Sequence, residues 1–301
     1  MENNIIPYED IKSSSLKIIE LLREFGYIII RYPAITEMIT HYRFSMINFM
    51  SLSEDERMTC TPEDFDRRGW SYGKEIFNGK TDSKKGSYYA FLDNNGDDVA
   101  ENIWPSELCS PGLQSEPSDQ ISNLENFKEN ILELSKTITV VQKEILKTIG
   151  YNLESYNTTL RMLYYGKVLE DDYLENNYWC GLHKDHSYLT GLIPDLYIKN
   201  NNQIEKVDNS GLFIRGISVT IPEDCLAFQV GETLELASNG AVSATEHYVK
   251  KALGCERITL AIFLSPESDY VIPENKVEND RYINGMTYGQ FANASFKKYY
   301  S

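Results

Sequence analysis

The stretch GLHKDHSYL, residues 181 to 189, holds two of the four histidines of a 301-residue chain, with an aspartate between them. His183, Asp185 and His186 fit either an ordinary polar turn or one half of a metal site. In an extended segment, His183 and Asp185 are two residues apart and point to the same face. One imidazole and one carboxylate can then share an ion, whereas His186 faces the other side and is predicted to be a bystander.

A complete metal site needs a further ligand, and two histidines remain. His41 lies in a stretch with helical periodicity near the N-terminus, where a surface or packing role is the simpler interpretation. His247 lies in VSATEHYVKK, a β-like run that follows the turn signal SNGAVS. Two histidines and one aspartate form the ligand set that suits non-haem Fe(II). We therefore interpret His183, Asp185 and His247 as a candidate metal triad.

A second pair of residues indicates what binds beside the metal. The run ERITLAIF begins nine residues after His247 and places Arg257 and Thr259 two apart on one face of a strand. A guanidinium and a hydroxyl grip a carboxylate by charge-assisted hydrogen bonds. The pair predicts an acidic co-substrate next to the metal.

The elements that must position these residues change character along the chain. Apolar residues at helical spacing predict helices in IKSSSLKIIELLREFG, ITEMITHYRFSMINFMSLSEDERM, PSDQISNLENFKENILELSKTITVVQKEILKTIGY and MTYGQFANASFKKYY, with Gly26 and Gly150 as stops. YIIIRYP reads as a short strand, and residues 62 to 116 read as irregular with short strands such as SYYAFL. After about residue 158, the short β-rich runs TLRMLYYG, YLTGLI, DLYIKN, LFIRGISVTI, CLAFQVG and RITLAIFLS predict a sandwich or barrel. The predicted fold class is mainly β with flanking helices.

The totals exclude several classes of protein. A formal net charge of −16 argues against a nucleic-acid partner. Five scattered cysteines without a CxxC pair exclude zinc-finger spacing and argue against a disulfide scaffold. We find no secretory signal and no apolar run long enough to span a bilayer. We therefore expect one cytoplasmic domain with no membrane partner, while the oligomeric state stays open.

The order of these motifs resembles the Fe(II)- and 2-oxoglutarate-dependent dioxygenases, and within them the isopenicillin N synthase-like branch. The resemblance rests on His183-x-Asp185, His247 and Arg257-x-Thr259 in sequence, and covers nearly the whole chain. LLREFGYIII and FMSLSEDERM resemble that branch's N-terminal region, and TLRMLYYG stands where it has Arg-x-Asn-Tyr-Tyr. LAFQVGETLELASNGAVSATEHYV follows its segment around the distal histidine, and MTYGQF resembles its closing helix.

The resemblance implies a double-stranded β-helix (jelly-roll) core at residues 158–270, after a helical and irregular region at 1–157 and before a closing segment at 271–301. It implies that His183, Asp185 and His247 bind iron. Arg257 and Thr259 would hold the distal carboxylate of 2-oxoglutarate, which Tyr165 would also reach. The implied reaction couples the decarboxylation of 2-oxoglutarate by dioxygen to hydroxylation or desaturation of a small organic molecule.

Three departures from the family pattern set this chain apart. The usual Arg-x-Ser reads Arg257-x-Thr259, the frequent asparagine before the tyrosine pair is Leu163, and Tyr248 stands where an arginine usually follows the distal histidine. None is a predicted metal ligand. Together they place the chain in a divergent subgroup and leave its substrate undefined.

Substrate contacts in this branch come from the variable N-terminal half and the mouth of the barrel. We nominate Phe77, Tyr88, Tyr89, Trp179 and Phe263, for each of which core packing is the alternative. Three other functions stay open at this point. They are a 2-oxoglutarate-independent iron oxidase that draws electrons from ascorbate or its substrate, a zinc hydrolase, and a non-catalytic binding module.

Overall fold

The structure, a computed structural model, describes residues 4–62, 68–74, 76–77, 80–81, 83–105, 124 and 126–300. The part of the chain before residue 150 supplies four helices and six strands. In chain order these are β1 (Ile5–Pro7), α1 (Ser15–Phe25), β2 (Tyr27–Arg31), α2 (Ile35–Ser51), α3 (Glu54–Met58), β3 (Gly69–Tyr72), β4 (Ile76–Phe77), β5 (Lys80–Thr81), β6 (Lys85–Leu92) and α4 (Phe127–Thr148). A 3₁₀ turn over Tyr8–Ser13 connects β1 to α1.

The rest of the chain is mostly β. Its elements are β7 (Asn157–Tyr165), α5 (Glu170–Glu175), β8 (Tyr178–His183), β9 (Leu189–Leu192), β10 (Leu196–Lys199), β11 (Asn202–Ile204), β12 (Gly211–Ile214), β13 (Ile217–Ser218), β14 (Cys225–Val230), α6 (Glu232–Ala237), β15 (His247–Lys250), β16 (Glu256–Ser265) and α7 (Tyr288–Tyr300). These elements confirm the predicted fold class, mainly β with flanking helices, for the described residues.

The strands form two principal sheets. The large sheet has the order β1-β2-β14-β9-β16-β7-β6-β3, with β10 pairing to β16 and β11 to β10. The small sheet has the order β13-β12-β15-β8. Among the described strands, β1 and β2 pair in parallel and the other named neighbours are antiparallel, so the large sheet is mixed.

Strand β16 shows how the large sheet separates a core from a site. Its even positions from Ile258 to Leu264 belong to the main hydrophobic core. Its odd positions, from Arg257 to Phe263, line a cavity on the opposite face. Because side chains alternate along a strand, one sheet serves both purposes. Helix α4 covers the core face, where Gln142 donates from Nε2 to the carbonyls of Leu189 and Ile262.

Several local predictions are confirmed by the described residues. Helix α1 ends at Gly26, which has φ 81°, a left-handed conformation that glycine adopts without strain. The second predicted helix is two helices, because Ser53 and Glu56 form a capping box that starts α3. Cys60, Cys180, Cys225 and Cys255 are buried, and Cys109 lies outside the described residues. No described helix has the length and apolar character needed to cross a membrane.

Candidate metal centre

His183, Asp185 and His247 converge in space. Each offers one ligand atom, and the three atoms all lie within 4.8 Å of one another. His183 ends β8, and the antiparallel pairing of β8 with β15 sets it directly opposite His247. Asp185 follows two residues after the end of β8, so it reaches the site from a turn and not from the strand. The predicted strand is therefore present at His183, and Asp185 lies just beyond its end.

The two imidazoles present the same nitrogen to the site. Nδ1 of His183 is 2.8 Å from the Gly181 carbonyl, and Nδ1 of His247 is 2.9 Å from the Thr245 carbonyl. A carbonyl oxygen only accepts, so Nδ1 carries the hydrogen and Nε2 keeps its lone pair. Burial lowers the pKa of both histidines below the ordinary value, which favours the neutral rings that a metal requires.

The two oxygens of the Asp185 carboxylate have different surroundings: one accepts hydrogen bonds from the protein, and the other faces the two imidazoles. Oδ2 accepts from Thr190 Oγ1 at 2.7 Å and from Gln229 Nε2 at 2.6 Å. Oδ1 lies 3.6 Å from His183 Nε2 and 3.7 Å from His247 Nε2. Burial raises the pKa of this carboxyl, but the two imidazoles and the two hydrogen bonds outweigh burial and bring the pKa below its ordinary value. An ionised carboxylate therefore faces two imidazole lone pairs, a donor set that fits a divalent transition metal.

His186 has a separate structural role. Its Nδ1 is 2.9 Å from Glu232 Oε2, and Glu232 is 1% exposed. Arg281 Nη1 donates to the same oxygen at 3.0 Å, and Asn279 Nδ2 donates to the other at 3.1 Å. His186 thus connects the segment between β8 and β9, residues 184–188 (the metal-site turn), to α6 and the C-terminal segment. His41 is exposed on α2.

Arg257 and Thr259 line the same cavity as the triad. Arg257 is 3% exposed, its guanidinium carbon lies 5.0 Å from the centre of the Tyr165 ring, and its Nε and Nη1 have no hydrogen-bond partner among the described residues. Buried donors without partners are costly, so they mark a place where an acceptor is expected. Tyr165 lines the cavity too, and burial raises its pKa to about 12, which keeps the hydroxyl protonated.

Two cavities meet at the triad. The larger, of about 790 Å³, extends from His183 and Asp185 past Arg257. The smaller, of about 190 Å³, shares His183, Asp185, Arg161 and Phe263 with the larger one. Its remaining walls combine the aromatic side chains of Tyr89, Phe91, Tyr288 and Phe296 with Thr159, Lys184, His186, Ser187 and Ser265.

The nominated substrate residues separate in space. Phe263 and Tyr89 line the smaller cavity. Tyr88 instead packs in the main core, where its hydroxyl donates to the Ile103 carbonyl at 2.6 Å, and it lines neither cavity. Trp179 packs against Tyr165 with ring centres 5.4 Å apart, behind the cavity wall. Phe77 lies on β4, and its side chain is outside the described residues.

Sequence reasoning missed four residues of the site. Thr190 and Gln229 hold Asp185, Arg161 lines both cavities, and Asp195 bonds Arg257. A signal existed for two of them, because Gln229 and Arg161 are isolated polar residues inside the apolar strands CLAFQV and NTTLRMLYY. No comparable signal marks Asp195 in its turn.

Comparison with known proteins agrees with this geometry. Residues 156–266, which include the triad, Arg257 and Thr259, match the 2OG-Fe(II) oxygenase superfamily. Over these 111 residues the chain therefore carries the sequence pattern of that superfamily. It is 24% identical over 242 residues to Jasmonate-induced oxygenase 4 of Arabidopsis thaliana, a match that covers 76% of this chain and 60% of that protein. The chain spans little more than half of the length of the curated relatives it matches.

Two solved structures share the fold of this chain. A 2OG-Fe(II) oxygenase family protein from Caulobacter crescentus superposes with a TM-score of 0.73 at 19% identity, covering 98% of each chain. A Neurospora crassa protein, solved in complex with alpha-KG and 5-formyluracil, superposes with a TM-score of 0.71 at 18% identity, covering 98% of this chain and 94% of that one.

Proposed function

We propose that this protein is an Fe(II)- and 2-oxoglutarate-dependent oxygenase that hydroxylates or desaturates a small organic molecule. The observation that carries the proposal is the convergence of His183, Asp185 and His247 at the meeting point of two cavities. One cavity offers a guanidinium for an acidic co-substrate. The other has the aromatic walls that an organic substrate needs.

In this proposal, His183 Nε2, Asp185 Oδ1 and His247 Nε2 hold the iron. The strands that residues 158–270 contribute to the two sheets then form the jelly-roll core, with 1–157 as the flanking region and 271–301 as the closing segment of one domain. Two imidazoles and one carboxylate leave coordination positions for the co-substrate and dioxygen. The bound Fe(II), with 2-oxoglutarate and dioxygen, supplies the oxidising power that attacks an unactivated carbon–hydrogen bond, and succinate and carbon dioxide are the by-products.

The chain's own residues bind and orient the reactants. Arg257 offers buried donors to the distal carboxylate of 2-oxoglutarate, where a charge-assisted hydrogen bond gains strength from exclusion of water. Thr259, two residues along β16, places its hydroxyl on the same wall. The Tyr165 ring packs against the face of the Arg257 guanidinium and so helps to hold it in place.

The smaller cavity is proposed to hold the organic substrate. Phe263 and Tyr89 line it, and the Arg161 guanidinium lies 5.2 Å from the centre of the Tyr89 ring. A volume of about 190 Å³ fits a small molecule and excludes a folded protein or a duplex. The net charge of −16 argues in the same direction against nucleic acid.

Specific features of the site disfavour two of the three alternative functions. A zinc hydrolase leaves the buried donors of Arg257 unexplained, and a binding module gives no reason for an intact set of three ligands. The 2-oxoglutarate-independent oxidase differs from our proposal in one measurable respect, because it forms no succinate.

An anaerobic titration tests the proposal. Fe(II) and 2-oxoglutarate added to the purified protein should produce the visible iron-to-keto-acid absorption band, and admission of oxygen should release succinate. Asp185→Ala should weaken iron binding by at least about 100-fold and abolish the band, because the ligand itself is lost. His41→Ala, at an exposed histidine on α2, is the matched control and should change neither. Iron binding with no band and no succinate would contradict the proposal in favour of the oxidase.

A further inference from the structure

The guanidinium proposed to bind the co-substrate already has a carboxylate partner in the chain. Arg257 Nη2 donates to Asp195 Oδ1 at 2.5 Å, and the Asp195 side chain is 14% exposed. Asp195 lies in the turn between β9 and β10, one residue before β10 begins. The antiparallel pairing of β10 with β16 places Tyr197 opposite Arg257 and so brings this turn to the guanidinium.

The position of Asp195 is fixed from a second side. Arg43 on α2 donates from Nη2 to the Pro194 carbonyl at 3.0 Å, and its Nη1 pairs with Glu223 at 2.7 Å. These bonds anchor the backbone that carries the carboxylate. The contact with Arg257 therefore belongs to a braced turn and is not a chance approach of an exposed side chain.

Among the described residues, the other cation at this end of the cavity hydrogen-bonds to neutral groups and not to Asp195. Lys206 lines the cavity, and its Nζ donates to the Val219 carbonyl at 2.6 Å and to the Ser218 hydroxyl at 3.0 Å. Asp195 is therefore paired with Arg257, and the pair is close to electrically neutral. A dicarboxylate that enters this end meets a guanidinium whose charge is already balanced.

We propose that Asp195 is a positioning and specificity residue for the co-substrate, and the inference rests on the proposed function. Through Nη2, Asp195 orients the guanidinium and leaves Nε and Nη1 without a partner, so that one of these two can donate to the incoming distal carboxylate. Through its charge, Asp195 repels that same carboxylate. The chain consequently binds the keto-diacid less tightly, and distinguishes it less sharply from keto-monoacids, than Arg257 alone would dictate.

Asp195→Asn separates the two effects, because the amide oxygen can still accept from Nη2 while the negative charge is gone. The Fe(II)-loaded protein is titrated without oxygen with 2-oxoglutarate and, separately, with 2-oxopentanoate, which has the same chain length and no distal carboxylate. The absorption band gives both dissociation constants. We expect the variant to bind 2-oxoglutarate on the order of tenfold more tightly, with 2-oxopentanoate unchanged within about twofold.

Asp208→Asn is the matched control, because Asp208 lines the same cavity and makes no described bond to Arg257. It should change the ratio of the two dissociation constants less than Asp195→Asn does. Equal weakening of both acids by Asp195→Asn would indicate a merely structural role and overturn the inference, as would unchanged binding of 2-oxoglutarate. Absence of the band in the wild-type protein would overturn the proposed function itself, and this inference with it.

Discussion

At the scale of single residues, Asp185 shows how a buried carboxylate is made available to a metal. The side chain is 8% exposed, and an unsatisfied charge at that depth would be expensive. Thr190 and Gln229 satisfy Oδ2, which fixes the plane of the carboxylate and leaves Oδ1 between the imidazoles. The hydroxyl of Ser187, 3.0 Å from Thr190 Oγ1, extends this network into the turn that carries Asp185.

Gln229→Met tests the importance of this outer layer. The substitution keeps the length of the side chain and removes the Nε2 donor, so Asp185 loses one of the bonds that hold its orientation. Loss of such a contact weakens metal binding by roughly 10- to 100-fold. Competition of the variant against a chelator for Fe(II) measures the change.

Gln203→Met is the control for Gln229→Met, because Gln203 lines the same cavity from β11 and makes no described contact with the triad. Its iron affinity should stay at the wild-type value. Wild-type affinity in Gln229→Met would mean that Thr190 alone orients the carboxylate.

At the scale of elements, the sequence predicted those features that depend on local periodicity. Helices α1 and α4 follow their apolar stripes, and β7, β14 and β16 follow their β-rich runs. His247 and the Arg257–Thr259 pair lie on strands, as their spacing predicts. These features depend on residues close together in the chain, where side-chain period decides the conformation.

Features that depend on which strands become neighbours could not be predicted in this way. Gln229 reaches Asp185 because β14 pairs with β9, and Asp195 reaches Arg257 because β10 pairs with β16. Neither pairing has a signature in the local sequence. The nomination of Tyr88 as a substrate residue is wrong for a related reason. Adjacent residues on β6 point to opposite faces of the sheet, so Tyr89 faces the cavity and Tyr88 faces the core.

At the scale of elements, Gly231 allows α6 to begin in close contact with the metal-site turn. A Cβ at this position would lie 2.0 Å from the Ser187 carbonyl oxygen, while the next residue donates from its backbone N to the Asp185 carbonyl at 2.8 Å. Gly231→Ala must therefore displace the turn. We expect a loss of about 2 kcal/mol in the free energy of unfolding and weaker iron binding, measured by urea denaturation and by titration.

Gly216→Ala distinguishes steric displacement from a general effect of replacing glycine. Gly216 has φ 81°, and no described atom lies within 4 Å of the position that an alanine methyl group would occupy, so its cost comes from backbone conformation alone. That cost is about 1 kcal/mol, with iron affinity unaffected. Equal effects of the two substitutions on iron binding would contradict the role assigned to Gly231.

At the scale of the whole molecule, the site draws on parts of the chain that are far apart in sequence. The small sheet supplies both histidines, and the large sheet supplies Gln229 and Arg257. The C-terminal segment adds Tyr288 and Phe296 to the wall of the smaller cavity. Because the walls of the site come from several distant segments, its geometry requires the assembled fold and cannot persist in any one segment alone.

Glu232 is the residue through which the C-terminal segment is tied to the metal-site turn. Its carboxylate bonds His186 on one side and Arg281 and Asn279 on the other, and Arg281 Nη1 also donates to Ser295 on α7 at 2.9 Å. Burial raises the pKa of Glu232, but His186 and Arg281 outweigh burial and bring the pKa below its ordinary value of 4.5. The stabilisation is therefore fully present above pH 4.5 and is lost as the pH falls through the lowered pKa.

Glu232→Gln should lower the free energy of unfolding at pH 7 by about 2 to 4 kcal/mol, since one member of a buried ionic network becomes neutral. The difference from the wild-type protein should narrow as the pH falls below 4.5, which urea denaturation at several pH values measures. Limited proteolysis should cut the C-terminal segment of the variant sooner.

Glu235→Gln is the control, because Glu235 lies on the same helix without a described ion pair, and it should lower the free energy of unfolding by less than about 0.5 kcal/mol. A pH-independent difference would show that shape, and not charge, makes Glu232 important for joining the segments.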